Sequence, residues 1–297
     1  MPRVDLTGKP IIITGASSGI GYSTARACAD AGMPVVAVAR RADRLDAMVE
    51  TIESRGGRAA AVTGDVSDPE VSRQAVEVCI DRFSGVYSVF ANAGYGFESP
   101  VHETGIERMR AIFETNFFGS LHLVEAAVPH MLKAKSGHVL ICSSCIGKIA
   151  LPYFGAYCAT KAAQNHVGRA MNLELRPHGV MTSTVHPVGT KTDFFDTAKS
   201  LSETSGATLG DHAPQWFMQT PETVAKAVVR CLQRPRPEVW PSWAWLVRFG
   251  MAIGMMFPRA ADLGMQRLVR EYEQAERKHR EQAGGNIERT ASSARSA

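Results

Sequence analysis

Over the first 190 residues, short apolar runs alternate with longer stretches of helical periodicity. The runs are KPIIITG, MPVVAVAR, GRAAAVTGD, GVYSVFANAG, GHVLICSS and GVMTSTVHP. They are rich in Val, Ile and Ala and do not alternate with polar residues. That pattern predicts parallel strands buried on both faces. Apolar spacing predicts helices over 19–31, 43–55, 68–83, 106–134 and 153–176. Asp68-Pro69 suits a helix start, with Asp as cap and Pro in the first turn. Pro177 and Gly179 end the fifth helix. The alternation predicts an α/β protein with a doubly wound parallel sheet.

The rhythm then changes. Residues 195–220 are polar with Gly and Pro and follow a strand's carboxyl end, where a substrate lid is expected. A helix over 221–233, a short strand over 237–240 and a helical stretch from 242 to about 280 follow. The last residues, 283–297, show no apolar periodicity and read as a disordered tail. The expected organisation is a catalytic domain over 1–240, a helical extension over 241–282 and that tail.

Composition and charge narrow the function. A net charge of +4 on 297 residues, with the bases scattered among acids, argues against nucleic acid as a partner. Six cysteines without a disulfide-like framework suit a reducing compartment, and no charged-then-apolar leader precedes the first strand, so a cytoplasmic protein is expected. Cys142 and Cys145 form a CxxC, but no second pair or nearby His completes a zinc site, and no metal is expected. The stretch Trp240 to Phe257 is interrupted by Pro241 and Arg248 and is too mixed for a confident membrane span. A helix packed on the core or on a second subunit is favoured there over a peripheral membrane contact.

The first strand runs into Thr14-Gly15-Ala16-Ser17-Ser18-Gly19-Ile20-Gly21. Glycines at a strand-to-helix junction allow a tight turn and close approach of a ligand, and the helix start favours a pyrophosphate. TGASSGIG, a strand ending in ANAG (91–94) and Tyr157-Cys158-Ala159-Thr160-Lys161 together resemble the short-chain dehydrogenase/reductase family. The resemblance covers about residues 8–240. It implies a single Rossmann-type domain with a parallel sheet of about seven strands, a nicotinamide cofactor and a homodimer or homotetramer.

The second strand ends at Ala39 and is followed by Arg40-Arg41, where an NAD site commonly offers an acid. A guanidinium there suits a ribose phosphate, so NADP(H) is expected, with Arg40 the foremost reader. By resemblance, Asp65 and Val66 contact adenine, and Asn92, Ala93 and Gly94 border the cofactor. Pro187, Val188, Thr190 and Thr192 follow the sixth strand, with backbone groups at Val188 and Thr190 placed for the carboxamide. The family's usual Pro-Gly is Pro187-Val188 here.

Tyr157 and Lys161 are four apart and share a helix face. The ammonium and the positive nicotinamide ring both favour phenolate, making Tyr157 a general acid in reduction and a general base in oxidation. By resemblance, Lys161 also binds the nicotinamide ribose. Ser144 stands thirteen positions before the tyrosine, the family spacing for the serine that bonds the substrate oxygen. Asn116 matches the family's helix-bending asparagine, and by resemblance its backbone carbonyl holds a water linking Lys161 to solvent. His186 reads as a strand-end histidine with a structural bond.

Tyr95, Phe97, Ile146, Tyr153, Phe194, Phe195, Trp216 and Phe217 are candidates for a substrate wall, foremost among them Ile146, Tyr153 and Phe194, which suggests an apolar carbonyl or alcohol substrate. A silent NADP-sensing or scaffolding protein of the same fold is the alternative, disfavoured by the retained Asn116, Ser144, Tyr157 and Lys161. A nucleotide-sugar epimerase or dehydratase would want a larger carboxyl-terminal substrate domain than 241–297 provides.

Overall fold

A computed structural model describes residues 3–202, 218–241 and 244–257, with 259, 262–267, 269–270 and 273–274. Seven strands form one parallel sheet in the order β3-β2-β1-β4-β5-β6-β7. They are β1 (Ile11–Thr14), β2 (Val35–Ala39), β3 (Ala59–Thr63), β4 (Ser88–Ala91), β5 (Gly137–Cys142), β6 (Val180–Val185) and β7 (Glu238–Val239). The continuous apolar runs are explained by burial on both faces. Ile11 and Ile13 join one core with Val35, Ala37 and Phe90, and Ile12 joins the other with Val36, Val38 and Val89.

Helices α1 (Gly19–Asp30), α2 (Ala42–Glu53) and α8 (Pro221–Gln233) cover the first core, while α3 (Pro69–Phe83) and α5 (Gly119–Ala134) cover the second. The Asp68 carboxylate accepts from the Glu70 amide, as the capping signal predicts. The order reverses between β1 and β4, and a crevice opens there at the carboxyl ends of the strands.

The helix expected over 106–134 is interrupted. It divides into α4 (Ile106–Phe113), a π-helical turn at Glu114–Phe118, and α5. Asn116 causes the break through tertiary bonds: its side chain accepts from the Tyr95 amide at 2.9 Å and donates to the Tyr95 carbonyl at 2.9 Å. Such bulges recur at functional sites. The proposed lid is also more regular than expected at its start. Residues Phe194–Leu201 form α7, with Ala198 buried. Residues 203–217, including Trp216 and Phe217, lie outside the described residues.

The long α6 (Gly155–Leu175) and α9 (Ala244–Met256) meet at Glu238. This buried carboxylate accepts from Arg169 at 2.6 Å, Lys148 at 2.9 Å and Trp240 Nε1 at 3.3 Å, with Arg248 of α9 at 3.8 Å. Burial alone would raise its pKa. The bonds from Lys148, Trp240 and Arg169 prevail and hold it down at about 2. A depressed carboxylate stabilises the fold fully above its ordinary pKa of 4.5, and that contribution is lost as pH falls toward 2. Glu238→Gln should therefore lower Tm at neutral pH and flatten the acid limb of the Tm–pH curve over that window. An unaltered acid limb would remove Glu238 from the stability account.

Among the described residues, no helix is long and apolar enough to cross a membrane, and no group of three His, Cys, Asp or Glu side chains is placed to hold a metal ion. All six cysteines are free and buried.

Candidate active site

The loop after β1 is built by glycine and by a latch to β4. Gly15 has φ +67°, and a Cβ there would lie 2.9 Å from both Ala93 Cα and Asn92 Nδ2. At Gly21 a Cβ would run into the Gly15 carbonyl. The Thr14 hydroxyl accepts from the amides of Asn92 at 3.0 Å and Ala93 at 3.1 Å, while Asn92 Nδ2 donates to the Thr14 carbonyl. Ser18 is the residue before α1, yet its side chain does not cap the helix. Its hydroxyl accepts from Arg41 at 2.8 Å instead. The first turn, Gly19, Ile20 and Gly21, thus presents amides without a side-chain cap to the cleft, an anion site by geometry and dipole.

The arginine pair divides. Arg41 donates to the Ser17 hydroxyl through Nε at 3.2 Å and Nη2 at 2.9 Å, closing a basic ring on the glycine loop. Arg40 is 78% exposed at its side chain and lies 3.6 Å from Asp65. The Asp65 carboxylate sits below its ordinary pKa. Burial works against this, but bonds from the Ser67 amide and hydroxyl, and the Arg40 charge, outweigh it. Asp193 approaches from the far wall, 3.7 Å from Arg41 and 3.3 Å from Arg44.

A cleft of about 490 Å³ extends from this ring past Gly94 to Ser144, Tyr157 and Lys161. Asp65, Val66, Asn92, Ala93, Pro187, Val188, Thr190 and Thr192 all line it. The post-β6 loop is fixed from within: Thr190 Oγ1 donates to the Val188 carbonyl at 2.8 Å, and the Gln219 amide donates to Gly189 at 2.7 Å. Ser144 opens a short 3-10 turn, Cys145–Gly147, and its hydroxyl accepts from the Ile146 amide at 3.4 Å. His186 supports it from behind. Its Nδ1 pairs with the Ser144 carbonyl at 3.2 Å, and its ring stacks on Trp240 with centroids 4.7 Å apart. Burial pushes the His186 pKa down to about 4, leaving the ring neutral near pH 7. This is the structural role expected of it.

At the catalytic group, burial raises the Tyr157 phenol well above its ordinary pKa, reinforced by neighbouring Cys142, Cys145 and Cys158 and opposed by the Ser144 hydroxyl. Lys161 Nζ lies 5.4 Å from the Tyr157 ring centroid and donates to the Cys142 carbonyl at 2.7 Å and to Gln164 Oε1 at 2.9 Å. Burial holds its own pKa down at about 8. The Asn116 carbonyl accepts from Gln164 Nε2 at 2.5 Å and from the Ser120 hydroxyl at 2.8 Å.

The apolar wall is also revised. Tyr95, Ile146, Phe194 and Phe195 line the cleft, and the Phe194 ring stands 5.2 Å from that of Tyr157. Tyr153 does not line it. Its backbone turns left-handed at φ 65°, its carbonyl accepts from the Ser99 amide, and Leu151 and Phe154 form the wall instead. Phe97 is buried with Ile112 and Ala156 in a cluster against which Tyr95 and Tyr157 pack. Sequence reasoning missed Gln164, Ser120 and Asp193. The signal for Gln164 was its place three residues after Lys161.

A model described as short chain dehydrogenase matches residues 9–202. The chain belongs to the short-chain dehydrogenase/reductase family. An uncharacterized oxidoreductase of Listeria innocua is 32% identical over 77% of this chain and 92% of its own length. A fatty acyl-CoA reductase of Mycobacterium tuberculosis is 33% identical over 75% of this chain and 76% of its own. A metagenomic short-chain oxidoreductase solved in complex with NADP superposes with a TM-score of 0.67 at 26% identity, covering 80% of this chain and all of that one. This short-chain dehydrogenase/reductase is an oxidoreductase, and family and cleft together support a nicotinamide dinucleotide as its cofactor.

Proposed function

We propose that the protein is an NADP(H)-dependent oxidoreductase that interconverts a carbonyl and an alcohol on an apolar substrate. The observation that carries this reading is the convergence of Ser144, Tyr157 and Lys161 in one cleft with the uncapped α1 amides and the Arg41–Ser17–Ser18 ring. The fit to the cofactor rests on that cradle. The bare first turn of α1 suits a pyrophosphate, and the serine-backed guanidinium suits a ribose phosphate. Arg40 and Asp65 would border the adenine.

When bound, the cofactor supplies or accepts the hydride. The chain's own groups handle the oxygen and its proton. The raised phenol of Tyr157 stays protonated and serves as the acid that delivers a proton to the carbonyl oxygen in reduction. The Ser144 hydroxyl donates a second hydrogen bond to that oxygen as negative charge develops. An ammonium has three N–H donors, and Lys161 spends two on Cys142 and Gln164, leaving one for the ribose. Leu151, Phe154, Phe194 and Phe195 would exclude water and favour an apolar substrate. Exposed Phe118 and Leu132 near and on α5, and Leu173 on α6, support a homo-oligomer formed through these helices.

The test of the reaction class is isotopic. NADPH carrying two deuteriums at nicotinamide C4 should deliver one deuterium to the carbinol carbon of an aldehyde or ketone that the enzyme reduces. Oxidation of the cofactor without deuterium in an alcohol product would refute hydride transfer to carbon.

A further inference from the structure

The buried amide of Gln164 sits at the junction of the catalytic group and is used by no step above. Its side chain is 1% exposed residue-wide and fully bonded. Oε1 accepts from Lys161 Nζ at 2.9 Å, and Nε2 donates to the Asn116 carbonyl at 2.5 Å and to the Ser120 hydroxyl at 2.7 Å. The chemistry of the partners fixes the amide's orientation. An ammonium only donates and a main-chain carbonyl only accepts, so the oxygen must face Lys161 and the nitrogen Asn116. The Ser120 hydroxyl also donates to the Asn116 carbonyl, which fills both of its lone pairs.

We propose that Gln164 is a positioning residue that stands in for a relay water: it holds the Lys161 ammonium in place and closes the proton route behind it. The inference rests on the reading of Tyr157 and Lys161 given above. A water between Lys161 and Asn116 can accept a proton on one side and release another on the opposite side. An amide in its ordinary form cannot pass a net proton this way. The proton that Tyr157 delivers to substrate is therefore replaced from solvent through the cleft, not through the space between α5 and α6. Because Lys161 is bonded to a side chain and to the Cys142 carbonyl, its Nζ is fixed before cofactor arrives.

The test compares two truncations. Gln164→Leu keeps most of the volume but removes every hydrogen bond. Gln164→Ala removes more atoms and opens room for a water with three polar partners, Lys161 Nζ, the Asn116 carbonyl and Ser120 Oγ. With NADPH and an aldehyde reduced by the wild type, Gln164→Leu should lower kcat about 10–50-fold, with KM for NADPH changed less. Gln164→Ala should lose at least about fivefold less than Leu. A crystal structure of Gln164→Ala should show a water within about 3 Å of both Lys161 Nζ and the Asn116 carbonyl. A residue that merely fills space gives the opposite order, because the alanine leaves a cavity and the leucine does not. Leu equal to or better than Ala, or no bridging water in the Ala variant, would overturn the proposal. Tyr157→Phe is the control for the underlying reading. If it turns over like the wild type, the catalytic assignment fails. If it is inactive and the Ala/Leu order is reversed, only the Gln164 proposal fails.

Discussion

Tyr157→Phe should bind NADPH with wild-type affinity and lose about 10²–10⁴-fold in turnover. The substitution removes one oxygen and leaves the ring, so the packing against Phe154 and Phe194 is kept, with centroids 6.2 and 5.2 Å away. Affinity should survive because the phosphate-facing groups, the α1 first turn and the Arg41 ring, lie at the other end of the cleft. Turnover should not, because burial keeps the phenol protonated and, on the proposed mechanism, Tyr157 is the group that hands its proton to the carbonyl oxygen beside Ser144. The check is cofactor fluorescence titration beside steady-state turnover on the same preparation. Lost binding together with lost turnover would mean a folding defect. Turnover equal to wild type would remove Tyr157 from the mechanism.

The second large effect is on cofactor choice. Arg41→Glu should weaken NADPH about 100–1,000-fold while changing NADH far less. Arg41 is bonded to both serines of the glycine loop, which on the proposed reading holds its guanidinium toward the extra phosphate on the adenosine ribose. A carboxylate at this position would repel that phosphate. Arg40→Asp should give a smaller discrimination, since Arg40 is extended into solvent and already shares its charge with Asp65. Parallel Kd measurements for both cofactors decide the matter. Equal weakening of NADPH and NADH by Arg41→Glu would mean that the ring does not read the phosphate.

The sheet was legible because its strands are buried on both faces. Continuous runs such as IIIT and VVAVA have few other uses between amphipathic helices. Even the short β7 and the limits of α8 follow from local signals, with Thr220 capping and Pro221 in the first turn. The turn after β1 was legible for a different reason, since glycine spacing encodes backbone geometry directly. What stayed hidden depends on contacts across the chain. The bend at Asn116 was legible only through the family resemblance; apolar spacing reads straight through it, and the Tyr95 backbone that its side chain bonds lies 21 residues earlier. Arg40 and Arg41 are adjacent, and only the path of the chain into α2 decides which one turns back onto Ser17 and Ser18. Gln164 looks like an ordinary polar residue on a helix; its importance comes from burial against α5. Tyr153 and Phe154 exchange places in the apolar wall because of a left-handed turn that no residue type announces.

The carboxyl-terminal helix shows how far local pattern reaches. Val247 and Met251 of α9 pack with Ile146 and Val188 next to the cleft, as expected of a helix docked on the core. Leu246, Phe249, Ile253 and Met256 remain exposed on the same helix.

The central claim is that this cleft binds NADPH and uses it to reduce a carbonyl. It is tested most directly by titrating the purified protein with NADPH and NADH, then following NADPH oxidation against a panel of apolar aldehydes and ketones. The account predicts tighter binding of NADPH than of NADH and turnover on members of the panel that depends on Tyr157. Failure to bind NADPH, or no NADPH-dependent turnover on any member of the panel, would contradict it.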